Sequence, residues 1–194
     1  MRKIMVVDYD PEWGIAFKAF KTYYQNLFQG IKCDILHVGS TSVEGLAAKP
    51  IIDMDIVVNN EAAKKRIIQK LESVGYTHQG DLGIKGREAF SRESEIVPYT
   101  DEKRVWMEHH LYCCLEGIES LENHLRLQKW LRNHPDDVKA YSDLKKRLAQ
   151  KYGDDIDSYV EDKTAFIVSC LKKAGMTTAA LDAISLQNKK KASD

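Results

Sequence analysis

The segment Ile51-Ile52-Asp53-Met54-Asp55-Ile56-Val57-Val58 constrains this chain more than any other. Side chains of a strand alternate between its two faces. Ile52, Met54, Ile56 and Val58 therefore share one wholly apolar face that has to meet a core, and Asp53 and Asp55 share the other. Two carboxylates roughly 7 Å apart, at a rise of ~3.3 Å per residue, repel each other. In so apolar a strand they are also partly desolvated, which is costly unless compensated. A divalent cation compensates both. Hard Mg²⁺ (or Mn²⁺) takes oxygen ligands of this kind and keeps positions open for substrate phosphates. The alternative is an edge strand with two solvated aspartates, or aspartates paired with Lys or Arg.

The preceding loop, HVGSTSVEGLAAKP, adds weight to the cation. Gly39-Ser40 directly follows a predicted strand over 31–38 and stands a dozen residues before Asp53. Glycine lets a backbone approach a phosphate closely, and Ser40, Thr41 and Ser42 supply hydroxyls and N–H donors. Gly-Ser alone is common. A strand, Gly-Ser, a dozen residues and a strand-borne Asp-x-Asp together are far more specific.

Around this segment the chain reads as mixed structure followed by helices. Asp10-Pro11 opens a helix with proline in its first position, and Trp13, Phe17, Phe20, Tyr24 and Leu27 form its apolar stripe. Glu61 to Val74 reads as a helix closed at Gly75. Residues 75–104 read as short strands and turns, and Val105 to Leu115 as a long strand. Leu127, Trp130 and Leu131 share a helical face, a further helix starts at Pro135, and Ser158 with Glu161 forms a capping box for the last helix. The fold class is α/β in the broad sense (α+β): a mixed sheet flanked by helices, with a helical C-terminal block. One domain is expected over 1–175, sheet-rich to about 115, with 176–194 as a tail.

Composition narrows the partners. At 194 residues the chain suits one domain, and Lys+Arg and Asp+Glu balance at 29 each, so net charge points to no nucleic acid. No apolar run approaches the roughly 20 residues of a membrane span, and the N-terminus does not read as a signal peptide. Cys33, Cys113, Cys114 and Cys170 lack CxxC spacing and read as small hydrophobes in a reducing, cytoplasmic compartment.

Strand, Gly-Ser turn and strand-borne Asp-x-Asp resemble the nucleotidyltransferase superfamily. Read whole, HVGSTSVEGLAAKPIIDMDIVV is similar to the hallmark segment of the GrpB-like family, which is assigned to that fold. The resemblance continues in Gly83-Ile84-Lys85-Gly86-Arg87-Glu88-Ala89-Phe90, His109-His110-Leu111-Tyr112, Leu131-Arg132-Asn133-His134-Pro135, Tyr141-Ser142-Asp143-Leu144-Lys145, and Tyr159 with Lys163. Glu44 stands where the family often has proline.

The resemblance implies a turn at Gly39, Ser40, Thr41 and Ser42 that holds nucleotide phosphates, with metal on Asp53 and Asp55. It also implies a third acid on a neighbouring strand. Alternation along 105–115 puts Glu108, His110 and Tyr112 on the polar face. Glu108 is the natural third ligand by chemistry, whereas the family motif falls on His110. Lys163 lies by helical angle among Val160, Ile167 and Leu171. A lysine there snorkels, pairs with an acid or reaches a phosphate, and the expectation is that it reaches over the aspartates. Tyr159 flanks it. Arg87, Lys49 and Lys145 are further phosphate-binding candidates, each with a surface charge or structural ion pair as the plain alternative.

Two function classes follow. One is a metal-dependent nucleotidyltransferase acting on an NTP and an unidentified acceptor. The other is a non-catalytic protein that binds a nucleotide or another phosphate-bearing small molecule. A pure protein-interaction module explains the helices but not the paired aspartates, and Ser40 lacks the GxSxG context of a serine hydrolase.

Overall fold

A computed structural model describes residues 3–189. Helix α1 spans Glu12–Leu27, and β1 (Asp34–Val38) leads into a single 3₁₀ turn at Ser40–Ser42. Strand β2 follows at Ile52–Val58, then α2 at Glu61–Ser73 and strands β3 (Thr77–His78), β4 (Arg87–Ser91) and β5 (His109–Leu115). Four helices complete the described residues: α3 (Glu119–Arg132), α4 (Pro135–Tyr152), α5 (Ile156–Lys173) and α6 (Thr178–Gln187). This is the mixed α+β class that the sequence predicts. No helix among the described residues is long and apolar enough to cross a membrane.

The single domain expected over 1–175 is built as two compact units. Among the described residues, one combines 11–42 with 51–124, and the other combines 3–10, 43–50 and 125–189.

The first, the sheet unit, holds five strands in the order β1-β2-β5-β4-β3. β2 runs antiparallel to β1 and parallel to β5, whereas β4 is antiparallel to β5. β2 is thus an interior strand, which removes the reading of an edge strand with two solvated aspartates. Its apolar face is sealed: Ile52, Met54 and Ile56 are fully buried and Val58 nearly so. Trp13, Phe20 and Tyr24 of α1 are buried too, and Phe20 stacks on Trp106 and meets His109 edge-on.

The long strand expected from Val105 starts only at His109. Arg92 explains the difference. Its guanidinium donates to the carbonyls of Glu95, Val97, Trp106 and Met107 at 3.2–3.5 Å. Carbonyls at 106 and 107 that a ladder would use are taken by a side chain, so residues 105–108 stay irregular.

In the second, the helical unit, Val43 and Leu46 pack with Leu131, Val138 and Tyr141, the last stacked on Phe166. The Ala47 N–H donates to Ser142 Oγ at 3.0 Å, and Val7 bridges Ala48. Two expectations are corrected here. The capping box at Ser158 and Glu161 is replaced by an earlier start, with Asp155 accepting from the Ser158 N–H at 3.1 Å. Within the stretch expected to be a tail, α6 forms and buries Leu181 and Ile184 against Leu171. Its Thr177 cap accepts from the Ala180 N–H. Residues 190–194 of that stretch lie outside the described ones.

Candidate functional site

Pairing across the sheet sets the site. β2 places Asp53 opposite His110 and Asp55 opposite Tyr112 on β5, with Val38 and Leu36 as their partners on β1. Alternation puts both carboxylates on the face opposite the sealed core, as predicted. Asp55 is nevertheless fully buried, while the Asp53 side chain keeps 31% of its exposure.

The Gly-Ser turn reaches Asp53 directly. Gly39 has φ +69°, and a Cβ built on it would stand 2.2 Å from Asp53 Oδ2. Only glycine fits both the backbone and the neighbour. Thr41 is turned inward, its hydroxyl 3.0 Å from His37 Nε2 and donating to the Ile51 carbonyl at 3.3 Å. The Ser42 hydroxyl donates to the Gly39 carbonyl at 2.6 Å. These two hydroxyls brace the turn, and Gly39 is the part of it that meets Asp53.

The sequence treats the aspartates as a mutually repelling pair. The structure gives each one an imidazole. His110 Nδ1 is 2.8 Å from Asp53 Oδ1, and His124 Nδ1 is 2.9 Å from Asp55 Oδ2. An ionised carboxylate only accepts, so each Nδ1 carries the proton. Burial works against a charge on His124, but the hydrogen bond and negative charge of Asp55 outweigh it and hold its pKa above the usual value. His124 lies on α3, beyond the sheet, and no motif marks it in the sequence. Its one sequence signal is helical spacing: Ser120, Asn123 and His124 stand at i, i+3 and i+4 on one helix face.

Arg87, at the start of β4, lays its guanidinium 4.4 Å over the Tyr112 ring. Burial raises the Tyr112 hydroxyl above its ordinary pKa, as does the charge of Asp53, while Arg87 pulls the other way. Gly86 is packed so closely that a Cβ there would stand 2.9 Å from Ile118, just before α3. Four buried side-chain atoms here have no hydrogen-bond partner: Asp55 Oδ1, Arg87 Nε, Ser120 Oγ and Asn123 Oδ1. A buried orphan of this kind costs about 1–3 kcal/mol. Acceptors and donors together in one unit fit a polar ligand better than a dry core.

Glu108 precedes β5, so strand alternation no longer assigns it to the aspartate face; its carbonyl accepts from the Ile52 N–H at 2.9 Å. Among the described residues, no group of three or more His, Cys, Asp and Glu is arranged to hold a metal ion. The donor set that would suit a hard cation is the carboxylate pair, with Asp55 Oδ1 buried and unpartnered.

Lys49, Lys145, Tyr159 and Lys163 belong to the helical unit. Lys145 is buried, with Nζ 4.4 Å from the Tyr141 ring centroid. Tyr159 is buried on α5, which raises its pKa to about 12, and Lys163 Nζ stands 5.3 Å from its ring centroid. Lys49 is half-buried before Pro50.

A family model described as GrpB protein matches residues 3–173. The UPF0157 protein YqkA of Bacillus subtilis is 34% identical over 173 residues, covering 89% of this chain and 48% of that protein. The UPF0157 protein BH1888 of Halalkalibacterium halodurans is 31% identical over 174 residues, covering 90% of this chain and 84% of the relative. The chain thus spans about half the length of the first and most of the second. The crystal structure of the conserved protein GrpB from Enterococcus faecalis aligns with a TM-score of 0.73 at 30% identity, over 88% of this chain and 96% of that one.

Proposed function

The chain belongs to the GrpB family, and on that footing we propose that its sheet unit binds an NTP with a divalent cation and transfers a nucleotidyl or similar phosphoryl group to an acceptor. The observation that carries this reading is the packing of Asp53 against Gly39, which joins the Gly-Ser turn to the Asp-x-Asp strand. Asp53 and Asp55 would hold Mg²⁺ or Mn²⁺, which supplies charge neutralisation to the phosphates. Gly39 lets the backbone approach a phosphate, and Arg87, fixed over Tyr112, presents a planar fork to an anion. The sealed apolar face of β2 keeps both carboxylates in place and so serves positioning.

A second reading is a protein that binds a nucleotide or phosphometabolite without turning it over. It is favoured by the β2–β5 register, where His110 rather than an acid faces Asp53. One experiment separates the two. The four common NTPs are titrated calorimetrically with and without Mg²⁺, and pyrophosphate release is followed in parallel. Metal-dependent binding with release supports the transferase. Binding that Mg²⁺ does not change, with no release, supports the second reading. No binding of any NTP in either condition ends the nucleotide reading.

A further inference from the structure

We propose that His124, on α3, is a positioning residue for Asp55. It takes one carboxylate oxygen so that the other is presented to a bound cation. The inference rests on the metal reading above.

Asp55 is fully buried on an interior strand, flanked by β1 and β5. A buried carboxylate needs its oxygens satisfied. His124 Nδ1 satisfies Oδ2 at 2.9 Å, and Oδ1 has no partner. The same division recurs one turn of the pleat away. His110 Nδ1 takes Asp53 Oδ1, and Asp53 Oδ2 faces the Gly39 turn. In each aspartate one oxygen is fixed by an imidazole, and fixing one oxygen fixes the plane of the other. Outer partners of this kind orient ligands and set metal affinity.

The surroundings of His124 separate this role from simple packing. Ser120 Oγ and Asn123 Oδ1, on the same face of α3, are also buried without partners, as is Arg87 Nε. A helix face selected only to cover a sheet would be apolar there. Here it carries buried polar groups, one of which, His124, bonds the acid.

The probe is Mn²⁺, titrated alone and with the four NTPs into wild type, His124→Leu and His124→Asn. Affinity is read by calorimetry or by the loss of the free-ion magnetic resonance signal. Metal-free melting temperature is recorded separately. The expected result is a roughly 10–100-fold weaker Mn²⁺ affinity in His124→Leu, with recovery toward wild type in His124→Asn, whose amide N–H replaces Nδ1. A purely structural role would lower the melting temperature of His124→Leu while the folded protein kept its Mn²⁺ affinity, and that result overturns the inference while leaving the metal reading intact. If wild type takes up no Mn²⁺ in any condition, the metal reading fails and this inference with it. Should His124→Leu not fold, the contrast is His124→Asn against His124→Gln, whose amide matches Nε2 instead. Equal Mn²⁺ affinity in those two overturns the proposal.

Discussion

The carboxylate of Asp53 lies against the α-carbon of Gly39, so close that no side chain fits between them. The turn that ends β1 and the strand that carries the acids are therefore packed directly on each other.

Gly39→Ala tests that arrangement. The φ of +69° is strained for alanine, and its Cβ would meet Asp53 Oδ2. Stability should fall by more than ~1 kcal/mol, measured by urea unfolding, and Mg²⁺-dependent NTP binding should be lost in the fraction that folds. An alanine variant as stable as wild type would show that the turn and strand are not coupled.

The two aspartates should respond unequally to truncation in metal-free buffer. Asp55→Ala leaves His124 without its buried partner, and a loss of about 1–3 kcal/mol is expected. Asp53 is partly exposed, as is His110 opposite it, so Asp53→Ala should cost less than ~1 kcal/mol. Equal losses in chemical denaturation would contradict the burial difference.

His109 should make the sheet unit acid-sensitive. Burial pushes its pKa down to about 3, outweighing the Met107 carbonyl that favours the charged form. Its Nδ1–H donates to that carbonyl, and Nε2 accepts from the Tyr76 hydroxyl, which in turn bonds Tyr24. The folded state keeps the ring neutral while the unfolded chain protonates it near the ordinary value of about 6.5. Its contribution is complete above that value and declines as pH falls toward 3, by up to ~1.4 kcal/mol per unit. Unfolding free energies at pH 7 and pH 5 should drop more steeply for wild type than for His109→Gln. Parallel slopes would remove His109 from the account.

Arg92→Lys should loosen residues 105–108. A lysine offers a single compact head where the guanidinium reaches four carbonyls from two nitrogens. Amide exchange should quicken around Trp106 and Met107 while β2 keeps its protection. Unchanged exchange at those amides is the result that counts against it.

The legible parts of the molecule were those written in local periodicity. Alternation through 52–58 assigned the buried face and the acid face of β2, and the stripe of Trp13, Phe20 and Tyr24 marked the buried side of α1. What escaped depended on distant partners. The late start of β5 follows from Arg92, whose carbonyl contacts have no trace in the hydrophobic pattern of 105–115. His124 is one polar residue on a helix of ordinary amphipathic spacing, and its hydrogen bond depends on Asp55, 69 residues away. The α6 segment is short and followed by a run of lysines, so its two buried residues, Leu181 and Ile184, did not stand out.

The long sequence spans within the site carry a kinetic consequence. His110 meets Asp53 across 57 residues and His124 meets Asp55 across 69. β2 finds β1 nearby in the chain, but its parallel neighbour β5 arrives only after α2, β3 and β4 have been threaded. Contacts with such separations are slow to form, because their loops close before anything rewards the closure. During synthesis the aspartates leave the ribosome well ahead of both histidines. Until those histidines arrive, the acids are paired in sequence but unclamped in space.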